Sequence, residues 1–212
     1  MNSRLNELHR IGVAVSRETV DKLEQFESDF RKWSTRINLA APSTLDSLWR
    51  RHILDSAQIL PLAPQARKWL DLGSGGGFPG AIIAILLAER DDACIELVES
   101  NNKKAAFLRS ILSALSAPAV VHVCRIEYAP ARVQQPDIVT ARALAPLPLL
   151  LDLASPWLGG GSRALFHKGR DYAAEVRESR IGWQFDLIEH QSKIDSTSRI
   201  LEISGLDVQP AK

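Results

Sequence analysis

The chain has 212 residues, 45% of them hydrophobic and 24% charged, which fits one globular domain with an extension rather than two full domains. Its formal net charge is only +1, so no global basic field marks it for a polyanion, and any such surface must come from local clusters. No apolar run approaches the ~20 residues needed to span a bilayer. Met1–His9 lacks the apolar core of a signal peptide, and Cys94 and Cys124 have neither metal-ligand spacing nor the makings of a disulfide framework. The expectation is a cytoplasmic chain with no membrane span and no metal.

The first sixty residues read as helical. Val20, Leu23, Phe26, Phe30, Trp33 and Ile37 recur at spacings of three or four, an amphipathic stripe for which Ser16 supplies an N-cap. A second helix is expected after Pro42, capped by Ser43 or Thr44, carrying Leu45, Leu48, Trp49, Ile53 and Ile59 and stopped by Pro61. The pattern then changes to short apolar strands alternating with helices. Strands are expected at 69–72, 95–99, 120–124, 138–141 and 163–166. Helices are expected at 80–88, from Asn101 to about Leu115, and at 171–180. Phe185–His190 and Arg199–Ile203 alternate apolar and polar residues as a terminal antiparallel pair would. This order predicts a mostly parallel sheet covered on both faces. The domain expectation is a helical extension or lid over 1–64, a sheet domain over 65–206 and a tail over 207–212. Cys94 and Cys124 then fall at opposite ends of neighbouring parallel strands, so no disulfide joins them.

The strongest motif is Asp71-Leu72-Gly73-Ser74-Gly75-Gly76-Gly77-Phe78-Pro79-Gly80, placed where the first strand turns into the first helix of the sheet. Gly75, Gly77 and Gly80 satisfy the dinucleotide pattern G-x-G-x-x-G, which brings NAD into consideration. The larger pattern, an acid ending the strand before Gly73-x-Gly75-x-Gly77, is the usual S-adenosylmethionine loop. There Asp71 is expected to face the cationic amino-acid end of the ligand, where a pyrophosphate would be repelled. Glu99 closes the second strand about 20 residues on, where an acid accepts bonds from ribose hydroxyls. Ile126 and Glu127 follow the third strand, where this fold class meets the adenine ring.

Further motifs sit around that loop: Asn38-Leu39, Arg51-His52-Ile53-Leu54-Asp55-Ser56, Glu99-Ser100, Phe107-Leu108-Arg109, Arg142-Ala143 and Lys168-Gly169. In order and spacing, over about residues 33–203, the set resembles the RsmG (GidB) family. Ala40 and Ala141 depart from the Thr or Ser usual in that family, and Glu99 stands where many members have Asp. The resemblance implies a Rossmann-like class I S-adenosylmethionine-dependent methyltransferase: a mostly parallel seven-stranded sheet, last strand antiparallel, behind an N-terminal helical extension. It implies methylation of N7 of guanine 527 of 16S rRNA in the small ribosomal subunit. It also implies cofactor contacts at Gly73, Phe78, Ile126, Glu127 and Arg142, and a lid helix carrying His52.

Arg51 and Asp55, four apart on that helix, read from the residues alone as an ion pair beside a packed histidine. No general base is needed for N7 chemistry, so Arg142, His52 and Lys168 are positioning candidates. RNA contacts are expected from Arg36, Arg50 with Arg51, Lys103 with Lys104, and Lys168 with Arg170, local clusters able to track a phosphate backbone. A small-molecule methyltransferase of the same fold and an NAD-binding or non-catalytic module are the alternatives. The expected oligomeric state is a monomer.

Overall fold

The computed structural model describes residues 3–209. Helix α1 (Ser3–Arg10) leads into α2 (Arg17–Ser34), whose N-terminus is closed by Ser16: its hydroxyl accepts the Thr19 N–H at 3.1 Å. Val20, Leu23, Phe26 and Phe30 are fully buried along one face of α2, as the spacing predicts. Ile37 lies beyond the end of that helix.

The next segment departs from expectation. Instead of one α-helix between two prolines, the chain makes a 3₁₀ turn (Pro42–Ser47), a π turn (Trp49–Leu54), a single α turn α3 (Asp55–Ala57) and a second 3₁₀ turn (Leu60–Leu62). Neither Ser43 nor Thr44 caps it; Ala41 precedes the first turn, and Pro61 sits inside the last one rather than stopping a helix. Leu48, Ile53, Ala57 and Ile59 are all fully buried, so tertiary packing sets the path where regular hydrogen bonding does not.

Seven strands follow: β1 (Lys68–Leu72), β2 (Cys94–Val98), β3 (Ala119–His122), β4 (Ile138–Arg142), β5 (Arg163–Lys168), β6 (Trp183–Gln191) and β7 (Arg199–Val208). Their order is β3-β2-β1-β4-β5-β7-β6, parallel except for β7, which runs against both neighbours. The expected class I methyltransferase sheet is therefore the observed one. β7 runs past the expected boundary at 206, and the last three residues of the expected tail lie outside those described.

The connecting helices are α4 (Gly80–Leu87), α5 (Asn102–Ala114), α6 (Leu147–Leu158) and α7 (Tyr172–Ser179). Alternation along the strands divides the core in two. Trp69, Ile95 and Leu165 face α2, α4 and α5, whereas Leu70, Val139 and Phe166 face α6. Cys94 opens β2 and Cys124 lies beyond the far end of the parallel β3; both are free thiols. No helix among the described residues is long and apolar enough to cross a membrane.

Candidate functional site

The strand order reverses between β1 and β4, and in open sheets ligands bind in the crevice at that switch point, beyond the carboxyl ends of the strands. Two cavities open there. One, of about 600 Å³, is lined by the loop after β1 (Gly73, Gly75, Phe78), by Glu99 after β2 and by Ile126 and Glu127 after β3. The other, of about 830 Å³, is lined by Arg50, Arg51 and Asp55 of the irregular segment, by His167 and Lys168 at the end of β5, and by Arg199. They share one wall, Arg142–Ala145, at the end of β4.

In the first cavity the glycine loop is shaped by what lies behind it. Gly75 has φ +55°, and a Cβ there would have only the Gly73 carbonyl within 4 Å, at 3.7 Å, so its open side is the cavity. Its N–H donates to Glu99 Oε2 at 2.7 Å, while Glu99 Oε1 accepts the Asn101 N–H at 2.6 Å. One carboxylate thus ties the loop to the start of α5, and each oxygen keeps a lone pair for a ligand hydroxyl. Phe78 packs among Phe26, Phe30 and the His52 ring, whose centroid lies 4.8 Å away. Burial, seconded by the Arg142 charge, pushes His52 down to about 4, so the imidazole is neutral at physiological pH. A cavity of this size, with an acid at its edge and open space over Gly75, fits S-adenosylmethionine.

Two of the expected cofactor residues are placed otherwise. Asp71 is fully buried and lines neither cavity. Its carboxylate accepts the Gly80 N–H at 3.2 Å and the Thr140 hydroxyl at 2.9 Å, so it pins the start of α4 to β4. A Cβ on Gly80 would stand 2.4 Å from Asp71 Oδ2, so the missing side chain makes room for the acid. Gly77 also faces inward: a Cβ there would meet Ala81 at 2.7 Å and Leu108 at 3.0 Å. An acid after a first strand reads as ligand-facing in sequence; only the packing reveals that it faces backward.

Burial raises Asp71 from its ordinary 3.8 to about 7, against the pull of its hydrogen bonds. The folded chain then holds this proton up to near neutrality while the unfolded chain has released it. The stability Asp71 contributes is whole below about 3.8 and is lost as pH rises through about 7. His52 acts oppositely: its contribution is present above 6.5 and is lost as pH falls through about 4. Asparagine at 71 can accept from Gly80 and donate its amide N–H to the Thr140 hydroxyl oxygen, which frees that hydroxyl's proton for the Leu70 carbonyl 3.3 Å away. Asp71→Asn should therefore gain on the parent chain in thermal melts as pH rises from about 5 to about 8. A melting-temperature difference constant across that range would remove the buried proton.

Around the second cavity, Asp55 is the organising residue. It pairs with Arg142, Oδ2 to Nε at 3.4 Å, rather than with Arg51 as the sequence spacing suggests. Its Oδ1 accepts Gln58 Nε2 at 2.7 Å, and its carbonyl lies 2.9 Å from His167 Nε2. A carbonyl can only accept, so His167 carries its proton on Nε2. Burial also lowers the His167 pKa. Arg142 NH2 donates to the Arg51 carbonyl at 2.8 Å, latching the irregular segment onto the end of β4. Lys168, its side chain only 8% exposed, binds the Ala145 carbonyl at 2.8 Å and Glu175 at 2.5 Å. Glu175 in turn accepts the Leu147 N–H at 2.7 Å. Lys168 therefore braces the shared wall.

The structure brings together Gly73, Gly75, Phe78, Glu99, Ile126, Glu127, His52, Lys104 and Arg142 in the first cavity. It brings Arg50, Arg51, Lys168 and Arg142 together in the second. Arg36, Lys103 and Arg170 line neither, so those expected RNA contacts lie outside the crevice. Sequence reasoning missed His167, Glu175 and Arg199, and the apolar Leu144, Leu149 and Leu153. His167 and Arg199 carried a signal, since they neighbour Lys168 in the sequence and across the β5–β7 pairing.

Residues 19–201 match the family model GidB, described as rRNA small subunit methyltransferase G. The chain is 57% identical over 206 residues to the ribosomal RNA small subunit methyltransferase G of Chelativorans sp. (strain BNC1), covering 97% of this chain and 98% of that one. It is 60% identical over 203 residues to the protein of the same name from Brucella canis, covering 96% and 95%. Among solved structures, TrmN from Thermus thermophilus shares the fold at a TM-score of 0.53 and 16% identity, over 85% of this chain and 52% of that one. A fibrillarin/Nop5p complex does so at 0.52 and 11%, over 65% and 72%. With a family model spanning most of its length and relatives near 60% identity over nearly all of it, this chain belongs to the GidB family of rRNA small subunit methyltransferases.

Proposed function

We propose that the chain methylates N7 of guanine 527 of 16S rRNA, in the cytoplasm, with S-adenosylmethionine as donor. The observation that carries this reading is the pair of cavities with one common wall: a pocket fitted to the cofactor, and beside it a larger one ringed by Arg50, Arg51, Arg142 and Arg199. Rings of arginine suit phosphates and the polar edges of bases. The cofactor supplies a methyl group on a cationic sulfur. Gly73, Gly75 and Phe78 would shape its pocket, Glu99 would accept from its ribose, and Ile126 and Glu127 would border the adenine. Asp71 and Gly77 act from behind by holding the loop.

Guanine N7 has a free lone pair and no proton, so the protein has only to align nucleophile, methyl and leaving sulfur. His52, neutral and packed on Phe78, gives up no proton at neutral pH; its work is to close the cofactor pocket. The segment around it serves as the lid of residues 1–64 over the domain of 65–206. Arg142, with Lys168 behind it, orients the acceptor. The deciding substrate is small-subunit RNA carrying 7-deazaguanine at the target, which offers carbon in place of N7. Transfer of labelled methyl to that RNA should vanish, and methylation at the normal rate would exclude N7.

A further inference from the structure

Gln58 is only 2% exposed and lines neither cavity, yet its carboxamide reaches residues that line the larger one. Its Oε1 accepts the Lys193 N–H at 2.8 Å. A backbone N–H can only donate, so the amide nitrogen is turned the other way. That nitrogen donates to Asp55 Oδ1 at 2.7 Å and to Ser192 Oγ at 3.1 Å, with the Asp55 carbonyl also at 3.1 Å. The loop from β6 to β7, residues 192–198, is built on the same hydroxyl. Ser192 Oγ accepts the Ile194 and Asp195 N–H groups as well, at 3.2 and 3.1 Å. Ser192, Ile194, Asp195, Ser196 and Ser198 of this loop all line the larger cavity. One buried side chain thus joins the loop to the carboxylate that pairs with Arg142.

We propose that Gln58 is a positioning residue for methyl transfer, binding Asp55 and the 192–198 loop into one unit from outside the cavity. This rests on the reading above of the larger cavity as the RNA's. The last torsion of an aspartate is soft, so its two oxygens can exchange places unless something holds them. Gln58 takes Oδ1, which leaves Oδ2 for Arg142 at the end of the wall that the two cavities share. Through Ser192 and the Lys193 N–H it fixes the loop against the same carboxylate. Two borders of the cavity, 134 residues apart in the chain at Gln58 and Ser192, are held at a set separation. Alignment of nucleophile and methyl is sensitive to such spacing: a misplacement of about 1 Å can cost about a hundredfold in rate. Without the carboxamide, Asp55 Oδ1 and the Lys193 N–H each lose a partner, and both borders must shift to find others.

The test is Gln58→Met, which keeps the unbranched shape and removes every bond of the carboxamide. Methyl transfer to small-subunit RNA is followed in single turnovers, at saturating cofactor, with the enzyme in excess and varied in concentration. The rate constant at saturating enzyme should fall about tenfold. Cofactor affinity in calorimetry should stay within about threefold, since Gln58 bonds to no residue that lines the smaller cavity. A merely structural role gives the opposite split. With enzyme in excess, loss of folded protein raises the concentration needed for half-saturation and leaves the saturating rate constant alone. An unchanged rate constant therefore overturns the proposal, whatever happens to stability. Ser192→Ala loosens the same unit from its other side and should slow the saturating rate about threefold to tenfold. The double variant should lie within about twofold of Gln58→Met, because residues of one hydrogen-bond network do not act independently. Penalties that multiply in full would overturn the unit. If Gln58→Met does not fold, Ser192→Ala decides alone, and an unchanged saturating rate counts against the proposal. A parent enzyme that transfers no methyl to small-subunit RNA would bring down the reading of the cavity and this proposal with it. Normal transfer by the parent and by Gln58→Met alike would overturn this proposal only.

Discussion

Gly75→Val should abolish measurable S-adenosylmethionine binding in calorimetry while the chain stays folded. The two effects separate because of where the new atoms go. A Cβ at this position meets nothing in the protein closer than 3.7 Å, so the branched methyls extend into the space the ligand needs. The cost to the fold is the left-handed backbone, φ +55°, which holding a side chain there makes worse by about 1–2 kcal/mol. Affinity should fall at least about a hundredfold, the equivalent of roughly 3 kcal/mol of lost contact and clash. The neighbouring glycines give the contrast: Gly80→Val drives atoms into buried Asp71 and should lose the fold with the ligand. Cofactor binding by Gly75→Val within about threefold of the parent, less than one hydrogen bond's worth, would put the ligand elsewhere.

Asp55→Asn should slow methyl transfer by about a hundredfold at saturating cofactor, through loss of alignment rather than of chemistry. The asparagine keeps an oxygen for Gln58 and a carbonyl for His167, but removes the charge that faces Arg142. Arg142, already disfavoured by burial, is then left a cation with no counter-charge beside it. Breaking a wholly buried pair costs about 3–5 kcal/mol; with these side chains 20% and 13% exposed, about 2 kcal/mol in urea unfolding is the fitting scale. Single-turnover rates and urea melts on the same preparation check both numbers. An unchanged rate in a destabilised protein would reduce Asp55 to a structural residue.

Much of this was legible in the chain, and the exceptions have physical causes. The strands could be read because each sits between turn signals and carries a short apolar run. Ser16 and Asn101 announced their helices, and both side chains cap them. Helix α6 gave no such signal: Leu147–Leu158 is apolar nearly all round, contains Pro156 and has no side-chain cap, so no stripe stands out. The segment from Pro42 to Leu62 has a helical hydrophobic spacing yet makes 3₁₀ and π turns, because burial of Leu48 and Ile53 outweighs regular bonding. In the site, most of the residues that end strands or form the glycine loop line the cavities at places that chain position alone predicts. Asp71 shows the limit of spacing, which tells which strand end a residue occupies and not that its carboxylate turns to Gly80 and Thr140. The Arg51–Asp55 pair failed for a related reason: a partner from β4, distant in sequence, outcompeted the helical neighbour.

The wall of Arg142–Ala145 separates two compartments with a single stretch of backbone, held at one end by Asp55 and near the other by Lys168. Ligands that each shift this wall would be coupled through it. Whatever factor a bound cofactor adds to the affinity for RNA, bound RNA must add to the affinity for cofactor, since linkage is reciprocal. The same rule governs the end of a turnover. On the reading proposed above, the demethylated cofactor and the methylated base would leave from opposite faces of one partition, so any coupling through it would tie the departure of the one to the hold on the other.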